Sequence, residues 1–193
     1  MSLGLLPLVA AASFLLLSLA RAAGGGAEIL GKPCTEWPDE RWVQGGPLRL
    51  ADLRGKVVLV RFFMESDCRY CRATAPALNE FHREFGPRGL VVVGMYTPKP
   101  QPRPVTVDEA RRHVEAYGFQ FPVAVDDGWS ALRRLWLDRV PGARFTSASL
   151  LIDRKGIVRH VHPGGGYARE AEEPQARGDY EAMRAAIVSL LEE

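Results

Sequence analysis

The chain has 193 residues, 47% of them hydrophobic and 25% charged, and its formal net charge at pH 7 is +2. A chain of this length and composition builds one well-buried globular domain plus a targeting segment. The near-neutral charge excludes the basic surface that nucleic-acid binding requires, so we expect no nucleic-acid partner.

Residues 1–22 are predicted to be a targeting segment outside the fold. Residues 3–20 carry no charge, and Ala20-Arg21-Ala22 offers the small residues that signal peptidase recognises. Because no Lys or Arg precedes this run and its length reaches the lower limit for a membrane-spanning helix, an uncleaved anchor is the alternative. Either form exports the domain to the periplasm or an equivalent extracytoplasmic compartment.

Residues 23–39 are predicted to be a tether, flexible over 24–31, and residues 40–193 to form the domain. Trp42-Val43 and Leu48-Arg49-Leu50 flank the turn sequence Gly45-Gly46-Pro47. This arrangement predicts a small N-terminal β-hairpin before the first core strand.

The motif that bears chemistry is a buried strand followed by two cysteines at the start of a helix. Residues 57–63 form an apolar, β-branched run, and Cys68 and Cys71 follow where a helical pattern begins. Free N–H groups and the positive dipole end of a helix favour a thiolate, which is the nucleophile in thiol–disulfide exchange. Cys68 is predicted to attack, and Cys71 to resolve the mixed disulfide.

The chain has three cysteines, and the one outside the CxxC motif is Cys34. A zinc site needs about four ligands, so the CxxC pair is interpreted as a redox pair and not as half of a zinc site. Cys34 itself is interpreted as a packed thiol near the hairpin, since free cysteine behaves as a small buried hydrophobe. The alternative is a third redox thiol that pairs with a partner or takes the disulfide from Cys68.

The rest of the chain alternates helical and strand patterns. A helix over 71–85 contains Pro76, which is expected to kink it, and a Pro-rich stretch over 97–105 is expected to be an extended loop. The other predicted elements are a strand over 90–96, a helix over 107–117, a strand over 121–125, a helix over 129–137, strands over 149–153 and 157–161, and a helix over 179–191. The order predicts an α/β fold, with a central mixed sheet flanked by helices and an inserted β-α unit.

Several motifs in this order carry a family resemblance. They are Asp52-Leu53-Arg54-Gly55-Lys56, the strand and CxxC with Pro76 after it, Gly89-Leu90-Val91-Val92-Val93-Gly94, and Leu150-Leu151-Ile152-Asp153-Arg154-Lys155-Gly156. Together they resemble the thioredoxin-like redoxins of the TlpA type over nearly all of the chain after about residue 40. The resemblance implies a thioredoxin fold and exported thiol–disulfide oxidoreductase activity, with Pro76 as the structural proline of the helix.

Charges around the thiols are expected to tune the pair. Positive charge comes from Arg61, Arg69 and Arg72, and opposing negative charge from Glu65 and Asp67. We expect a modest net lowering of the pKa of Cys68. Arg69 and Tyr70, which lie between the cysteines, are expected to influence the redox potential most. For each arginine the alternative is an ordinary solvated charge.

Four positions depart from the pattern of the resembled family. Asp67 stands where thioredoxins have Trp, Phe62 where they have a buried Asp, and Thr74 where some TlpA-like proteins have Glu. Ser147, after Thr146, takes the place of the cis-proline that faces the CxxC and helps to bind partners. A trans peptide is expected before Ser147, because a cis bond there would cost about 2.5–4 kcal/mol.

The lost carboxylates leave no obvious acid–base group near Cys71, so Glu65 or water is expected to transfer its proton. Two alternatives to disulfide exchange follow from other residues. Peroxiredoxin-like activity would need a Thr where Glu65 stands and a facing charge, for which Arg144 is the candidate. A metal-handling module would need His160 and His162, which alternate on a terminal strand, to approach the thiols.

The sequence therefore predicts an exported thiol–disulfide oxidoreductase. Its expected partners are protein thiols and disulfides, with a membrane electron donor as a further candidate, and membrane contact only if the leader is retained. No cofactor and no metal ion are expected, and the protein is expected to be a monomer. The Cys68 and Cys71 pair would carry the reaction.

Overall fold

The computed structural model describes residues 25–38 and 40–193. The predicted leader, residues 1–22, lies outside the described residues. Among the described residues, no helix is long and apolar enough to span a bilayer.

A six-stranded mixed sheet forms the centre of the fold, in the order β1-β4-β3-β2-β5-β6. The strands are β1 Arg41–Gln44, β2 Val57–Phe63, β3 Leu90–Tyr96, β4 Val123–Val125, β5 Ser149–Ile152 and β6 Val158–His162. The β2–β3 and β3–β4 pairs are parallel, whereas β1–β4, β2–β5 and β5–β6 are antiparallel. This topology confirms the prediction of an α/β domain with a central mixed sheet.

Helices cover both faces of the sheet. They are α1 Arg69–Phe85, α2 Val107–Tyr117, the short α3 Ser130–Leu132 with a wider π-type turn Arg133–Leu137, and α4 Pro174–Glu192. One core lies between the sheet and α1, α2 and α4, and a second lies on the opposite face beneath α3. Since β2 is covered on both faces, all seven of its residues are buried, which explains its continuous apolar run.

The predicted N-terminal hairpin is wrong, because Arg41–Gln44 pairs with β4 and not with residues 48–50. The Gln44 side-chain amide donates to the carbonyls of Phe119 and Phe121 at 3.0 and 2.7 Å, which fixes β1 at the sheet edge. Leu50–Leu53 instead forms a 3-10 turn, and the Glu36 carboxylate accepts from its first N–H at 2.6 Å. The turn sequence after β1 therefore does not form a local hairpin, because β1 pairs with β4, a strand that is distant in sequence.

The stretch predicted as a tether is packed on the domain over its described residues. Ile29 and Trp37 are 1% and 3% exposed in the second core. The N–H groups of Gly31 and Cys34 donate to the carbonyls of Val158 and Gly156, each at 2.8 Å. Residues 25–38 thus run beside the β5–β6 hairpin, unlike a free linker.

Other boundaries differ by a few residues from those predicted. The closing helix begins at Pro174, a residue that suits the first helical turn because it has no N–H to leave unpaired. The helix predicted over 129–137 is a short α-helix followed by the π-type turn. Pro76 lies inside α1, as predicted, and is exposed.

Candidate active site

The two cysteines of the CxxC motif lie at the first turn of α1. Cys68 is the N-cap residue, and its Sγ accepts from the Cys71 N–H at 3.3 Å. The two sulfur atoms are 2.8 Å apart and both cysteines are free thiols. Cys71 is 2% exposed, whereas Cys68 is partly exposed. One thiol is thus accessible to a partner, and the other lies behind it.

The two thiols have very different pKa values because their surroundings differ. The hydrogen bond with Cys71 lowers the pKa of Cys68 to about 6 despite partial burial, and the N–H groups of Cys71 and Tyr70 and the charge of Arg61 act in the same direction. The hydrogen bond with Cys68 and burial raise the pKa of Cys71. Near neutral pH, Cys68 is therefore the thiolate and Cys71 the thiol that donates to it.

Arg61 lies beneath this first turn. It is 1% exposed, and its guanidinium donates to Ser149 Oγ at 3.2 Å and to the Gly165 carbonyl at 2.8 Å. The alternative interpretation of Arg61 as a solvated charge is therefore wrong. The pairing of β2 with β5 brings Ser149 opposite Arg61.

The glycine-rich loop after β6 contacts both the helix that carries the CxxC motif and the segment that precedes β5. Gly165 N–H donates to Ser147 Oγ at 3.3 Å, and Tyr167 N–H donates to Thr74 Oγ1 at 3.1 Å. A Cβ on Gly166 would lie 3.2 Å from the carbonyl oxygen of Tyr70. The loop therefore packs directly on the first turn of α1, and a side chain at Gly166 would press on that turn.

Ser147 and Thr146 are both buried in the segment that faces this loop. The cis peptide bonds of the described residues precede Pro47 and Pro100, so the bond before Ser147 is trans. Thr146 Oγ1 is buried and has no hydrogen-bond partner within the part of the chain that the structure describes. Phe145, just before it, is 52% exposed.

The residues predicted to tune the pair differ in their surroundings. Arg69 is exposed, donates to the Tyr70 hydroxyl at 2.6 Å and lies over its ring at 4.4 Å. Arg72 donates to the Ser66 carbonyl at 2.8 Å, and Asp67 is exposed. Solvent screens such charges, so their influence on the thiols is weaker than that of a buried group.

Glu65 is bound to the Pro-rich loop. Its carboxylate accepts from the Lys99 N–H at 3.0 Å and from the Tyr96 hydroxyl at 3.3 Å, and forms an ion pair with Arg103 at 3.4 Å. These contacts fix Glu65 as the residue that anchors this loop next to Cys68, and they compete with a role in proton transfer.

Tyr117 is a further residue of the site, and no sequence motif points to it. Its hydroxyl donates to the Glu65 carbonyl at 2.5 Å, and it lies near enough to Cys71 that this thiol adds to the effect of burial, which raises the pKa of Tyr117. Tyr117 stands at the end of α2, far from the motif in sequence. No local pattern could have assigned it to the site.

Cys34 lies in the second core, on the face of the sheet opposite Cys71. Burial raises the pKa of its thiol to about 12. These surroundings agree with the interpretation of a packed thiol and argue against direct exchange with Cys68, which would require a route around the sheet.

The described residues hold no group of three or more His, Cys, Asp or Glu that could bind a metal ion. His162 is buried, and its Nε2 lies 3.3 Å from the Asp179 carboxylate. His160 is partly exposed on the same strand.

Arg144, the candidate for the facing charge of a peroxidase, is exposed, and the arginine whose charge acts on Cys68 is Arg61.

Known proteins resemble the chain in sequence and in structure. The model of the AhpC/TSA family matches residues 33–161. The chain is 29% identical over 158 residues to "Protein DipZ" of Mycobacterium bovis, which is 77% of this chain and 21% of that protein. It is 25% identical over 131 residues to "Thiol-disulfide oxidoreductase ResA" of Halalkalibacterium halodurans, 68% of this chain and 67% of that protein. The chain therefore spans about a fifth of the length of DipZ.

A solved structure of a thiol-disulfide isomerase from Corynebacterium glutamicum superposes with a TM-score of 0.58 at 25% identity. The superposition covers 83% of this chain and 97% of that one. A further structure, a hypothetical protein of Sinorhizobium meliloti, superposes with a TM-score of 0.64 at 21% identity, covers 84% of each chain and adds support for the fold alone. The thioredoxin-like fold predicted from the sequence is confirmed.

Proposed function

The chain belongs to the AhpC/TSA family, and from this premise we propose that it is an extracytoplasmic thiol–disulfide oxidoreductase that acts through Cys68 and Cys71. The observation that carries the proposal is the pairing of an accessible, acidic thiol with a buried one 2.8 Å away at the start of a helix. The names of the relatives, thiol-disulfide oxidoreductase and thiol-disulfide isomerase, support this class of activity.

In the reducing direction, the thiolate of Cys68 attacks one sulfur of a partner disulfide. A Cys68–partner disulfide forms, the partner S–S bond breaks, and the released partner thiolate takes up a proton. Cys71 then loses its proton and attacks Cys68 Sγ, which forms the Cys68–Cys71 disulfide and releases the second partner sulfur as a thiol. Two electrons pass to the partner, and the oxidising direction is the same sequence reversed.

The acidity of the thiols supports the assignment of roles. Cys68 is ionised near neutral pH and partly exposed, so it is the attacking nucleophile. Cys71 stays protonated until the mixed disulfide has formed, because its burial and its hydrogen bond to the Cys68 thiolate hold its proton. When Cys68 becomes part of a disulfide, that thiolate is gone and Cys71 is more easily deprotonated.

We further propose that residues 1–22 export the domain, as a cleaved signal peptide or as a retained membrane anchor. The proposed partners are proteins with exposed thiols or disulfides, and a membrane protein is the candidate electron donor. The protein would act as a monomer, since one chain supplies both thiols.

The test is a redox titration of the purified protein in dithiothreitol and glutathione buffers, with thiols trapped by alkylation and the disulfide assigned by peptide mass. A reversible two-electron Cys68–Cys71 couple supports the proposal. Cys68→Ala should abolish exchange with a model disulfide, while Cys71→Ala should trap the mixed disulfide. Cys34→Ser is the matched control and should leave the couple unchanged.

A disulfide between Cys34 and Cys68, or the absence of any couple, would contradict the proposal. In that case the rate of hydrogen peroxide reduction and the binding of zinc or copper ions would be measured next on the same preparation. The measured potential also gives the direction of electron flow, since about −270 mV is typical of a reductant such as thioredoxin and about −120 mV of an oxidant such as DsbA.

A further inference from the structure

Arg61 is a charged residue in the middle of β2, a strand whose seven residues are all buried. Side chains of a strand alternate between the two faces of the sheet, and Leu59 and Phe63 belong to the core beneath α1. Arg61, between them, points to the same face as the helix that carries the two thiols. It is 1% exposed, so its charge lies in protein and not in water.

Three neutral groups orient the guanidinium of Arg61. Nη1 donates to Ser149 Oγ, Nη2 donates to the Gly165 carbonyl, and the ring centroid of Tyr167 lies 5.5 Å from Cζ. Burial raises the pKa of Tyr167, so its hydroxyl is uncharged. Nε is buried without a hydrogen-bond partner among the described residues. The side chain is thus held in place, but nothing in this set neutralises its charge.

No carboxylate of the described residues lies within ion-pair distance of Arg61. Within residues 25–38 and 40–193, none of the ion pairs involves Arg61. A buried cation is strongly unfavourable unless a negative group pairs with it. Its charge acts on both thiols, and it adds to the hydrogen bond from Cys71 in lowering the pKa of Cys68.

We propose that Arg61 is the buried counter-ion of the Cys68 thiolate and, as a positioning residue, sets the redox potential of the CxxC pair. This inference rests on the proposed function. The reduced protein carries the thiolate that Arg61 stabilises, whereas the Cys68–Cys71 disulfide carries no charge. Arg61 therefore favours the reduced protein and makes the disulfide a stronger oxidant.

Arg69 and Tyr70 are the residues for which the sequence predicts the greatest effect on the potential, whereas the buried charge of Arg61 has the greater effect under this proposal. The Arg69 guanidinium lies in solvent and is occupied by the Tyr70 hydroxyl and ring. Charges in water are screened, whereas a buried charge acts at lower effective dielectric. Arg69 is therefore the matched control for Arg61, with the same charge but a different environment.

The other titratable groups around Arg61 keep the same charge near neutral pH, so their titration does not contribute to the midpoint measured for Cys68. Burial, with the charge of Arg61, lowers the pKa of His162 to about 4, although its partner Asp179 opposes this. His162 and Tyr167 thus stay neutral between about pH 5 and pH 8, and Cys71 stays protonated because its pKa is raised. Of these four groups, Cys68 is the one that changes charge over this range.

The experiment compares the wild-type full chain with the variants Arg61→Met, Arg61→Lys and Arg69→Met. The first measurement is the pH at which the alkylation rate of Cys68 is half-maximal, read by peptide mass. The second is the equilibrium in which protein dithiol and oxidised glutathione give protein disulfide and two molecules of reduced glutathione. Both are measured at fixed ionic strength, with folding checked by circular dichroism.

Arg61→Met should raise the alkylation midpoint by about one pH unit, the lower end of the effect of a nearby opposite charge. The constant for forming the protein disulfide at pH 7 should rise about fivefold, because the fraction of Cys68 that is ionised at this pH falls, and this equals a potential about 20 mV more negative. Arg61→Lys, which keeps the charge, should hold the midpoint within about 0.3 pH unit and the constant within about twofold of wild type. Arg69→Met should change the constant by less than about twofold.

Unchanged values in a folded Arg61→Met variant overturn the proposal, and so does an equal shift in Arg61→Lys, since shape and not charge would then be responsible. If the Arg61 variants do not fold, Ser149→Ala decides the matter. Loss of that hydrogen bond should raise the midpoint by about 0.3–0.5 pH unit and the constant by about twofold to threefold, and no shift overturns the proposal. A wild-type chain without a reversible couple refutes the proposed function alone, because the alkylation midpoint still tests Arg61.

Discussion

Replacing Cys71 by alanine removes the hydrogen bond that contributes most to the acidity of Cys68. The two sulfur atoms are 2.8 Å apart, and this hydrogen bond is the largest cause of the low pKa of Cys68. A hydrogen bond to a charged group contributes about 1.5–3 kcal/mol, and one pKa unit corresponds to about 1.36 kcal/mol. Because Cys68 is partly exposed, water replaces part of the lost bond, so we expect its pKa to rise by about one unit.

The assay is the rate of alkylation of Cys68 by iodoacetamide between pH 5 and pH 9, followed by peptide mass. The Cys34→Ser protein is the reference, with a midpoint near the pKa of about 6, and the Cys34→Ser, Cys71→Ala protein should have a midpoint near about pH 7. At pH 6 the variant should therefore react several times more slowly. A midpoint that does not move refutes this reasoning and assigns the low pKa to the N–H groups and to Arg61.

Two predictions concern stability. Phe81→Ala should lower the free energy of unfolding in urea by about 3–5 kcal/mol, because Phe81 is fully buried and stacks on Tyr180 at 5.3 Å; a loss below about 1 kcal/mol would contradict the packing. Asp153→Ala should cost about 1–3 kcal/mol at pH 7, since the Asp153 carboxylate accepts the N–H of Ile157 at 2.9 Å and pairs with Arg159 at 3.1 Å. Burial opposes ionisation of Asp153, but these bonds lower its pKa from the ordinary 3.8, so its contribution is present above about pH 4 and is lost as the pH falls through the lowered pKa. The difference between wild type and Asp153→Ala should therefore shrink in acid, and a constant difference down to about pH 2 would contradict the assignment.

Local patterns were sufficient to predict the central strands and the CxxC helix. Apart from Arg61, the residues of β2 form an apolar run, and this run alone predicts a buried strand without knowledge of the strands that pair with it. The same holds for α1, where Leu78, Phe81 and Phe85 form the expected buried side. The order of these elements was enough to identify the fold and the family. The roles of Cys68 and Cys71 stay predictions until the titration is made.

What the sequence could not predict depends on contacts between distant segments. Trp42-Val43 carries a strand pattern, but its partner is Val123–Val125, and only the folded sheet decides between that pairing and a local hairpin. The sequence predicts that Arg61 places positive charge near the thiols, but its burial and its bonds to Ser149 and Gly165 depend on contacts made only in the folded domain. Tyr117 lies near the thiols because it is the last residue of α2, and only the packing of that helix in the folded domain brings it there.

The packing of Cys34 beside the β5–β6 hairpin has a consequence for the folding pathway. Pro33 pairs with Ile157, and the Cys34 N–H donates to the Gly156 carbonyl at 2.8 Å. Contacts between segments so far apart in sequence form late, after the entropy of closing a long loop has been overcome. Until then Cys34 is an ordinary, accessible thiol in a chain that also exposes Cys68 and Cys71. In an oxidising compartment, a longer time between synthesis and the docking of Pro33 and Cys34 on this hairpin would therefore increase the amount of protein lost to mispaired disulfides.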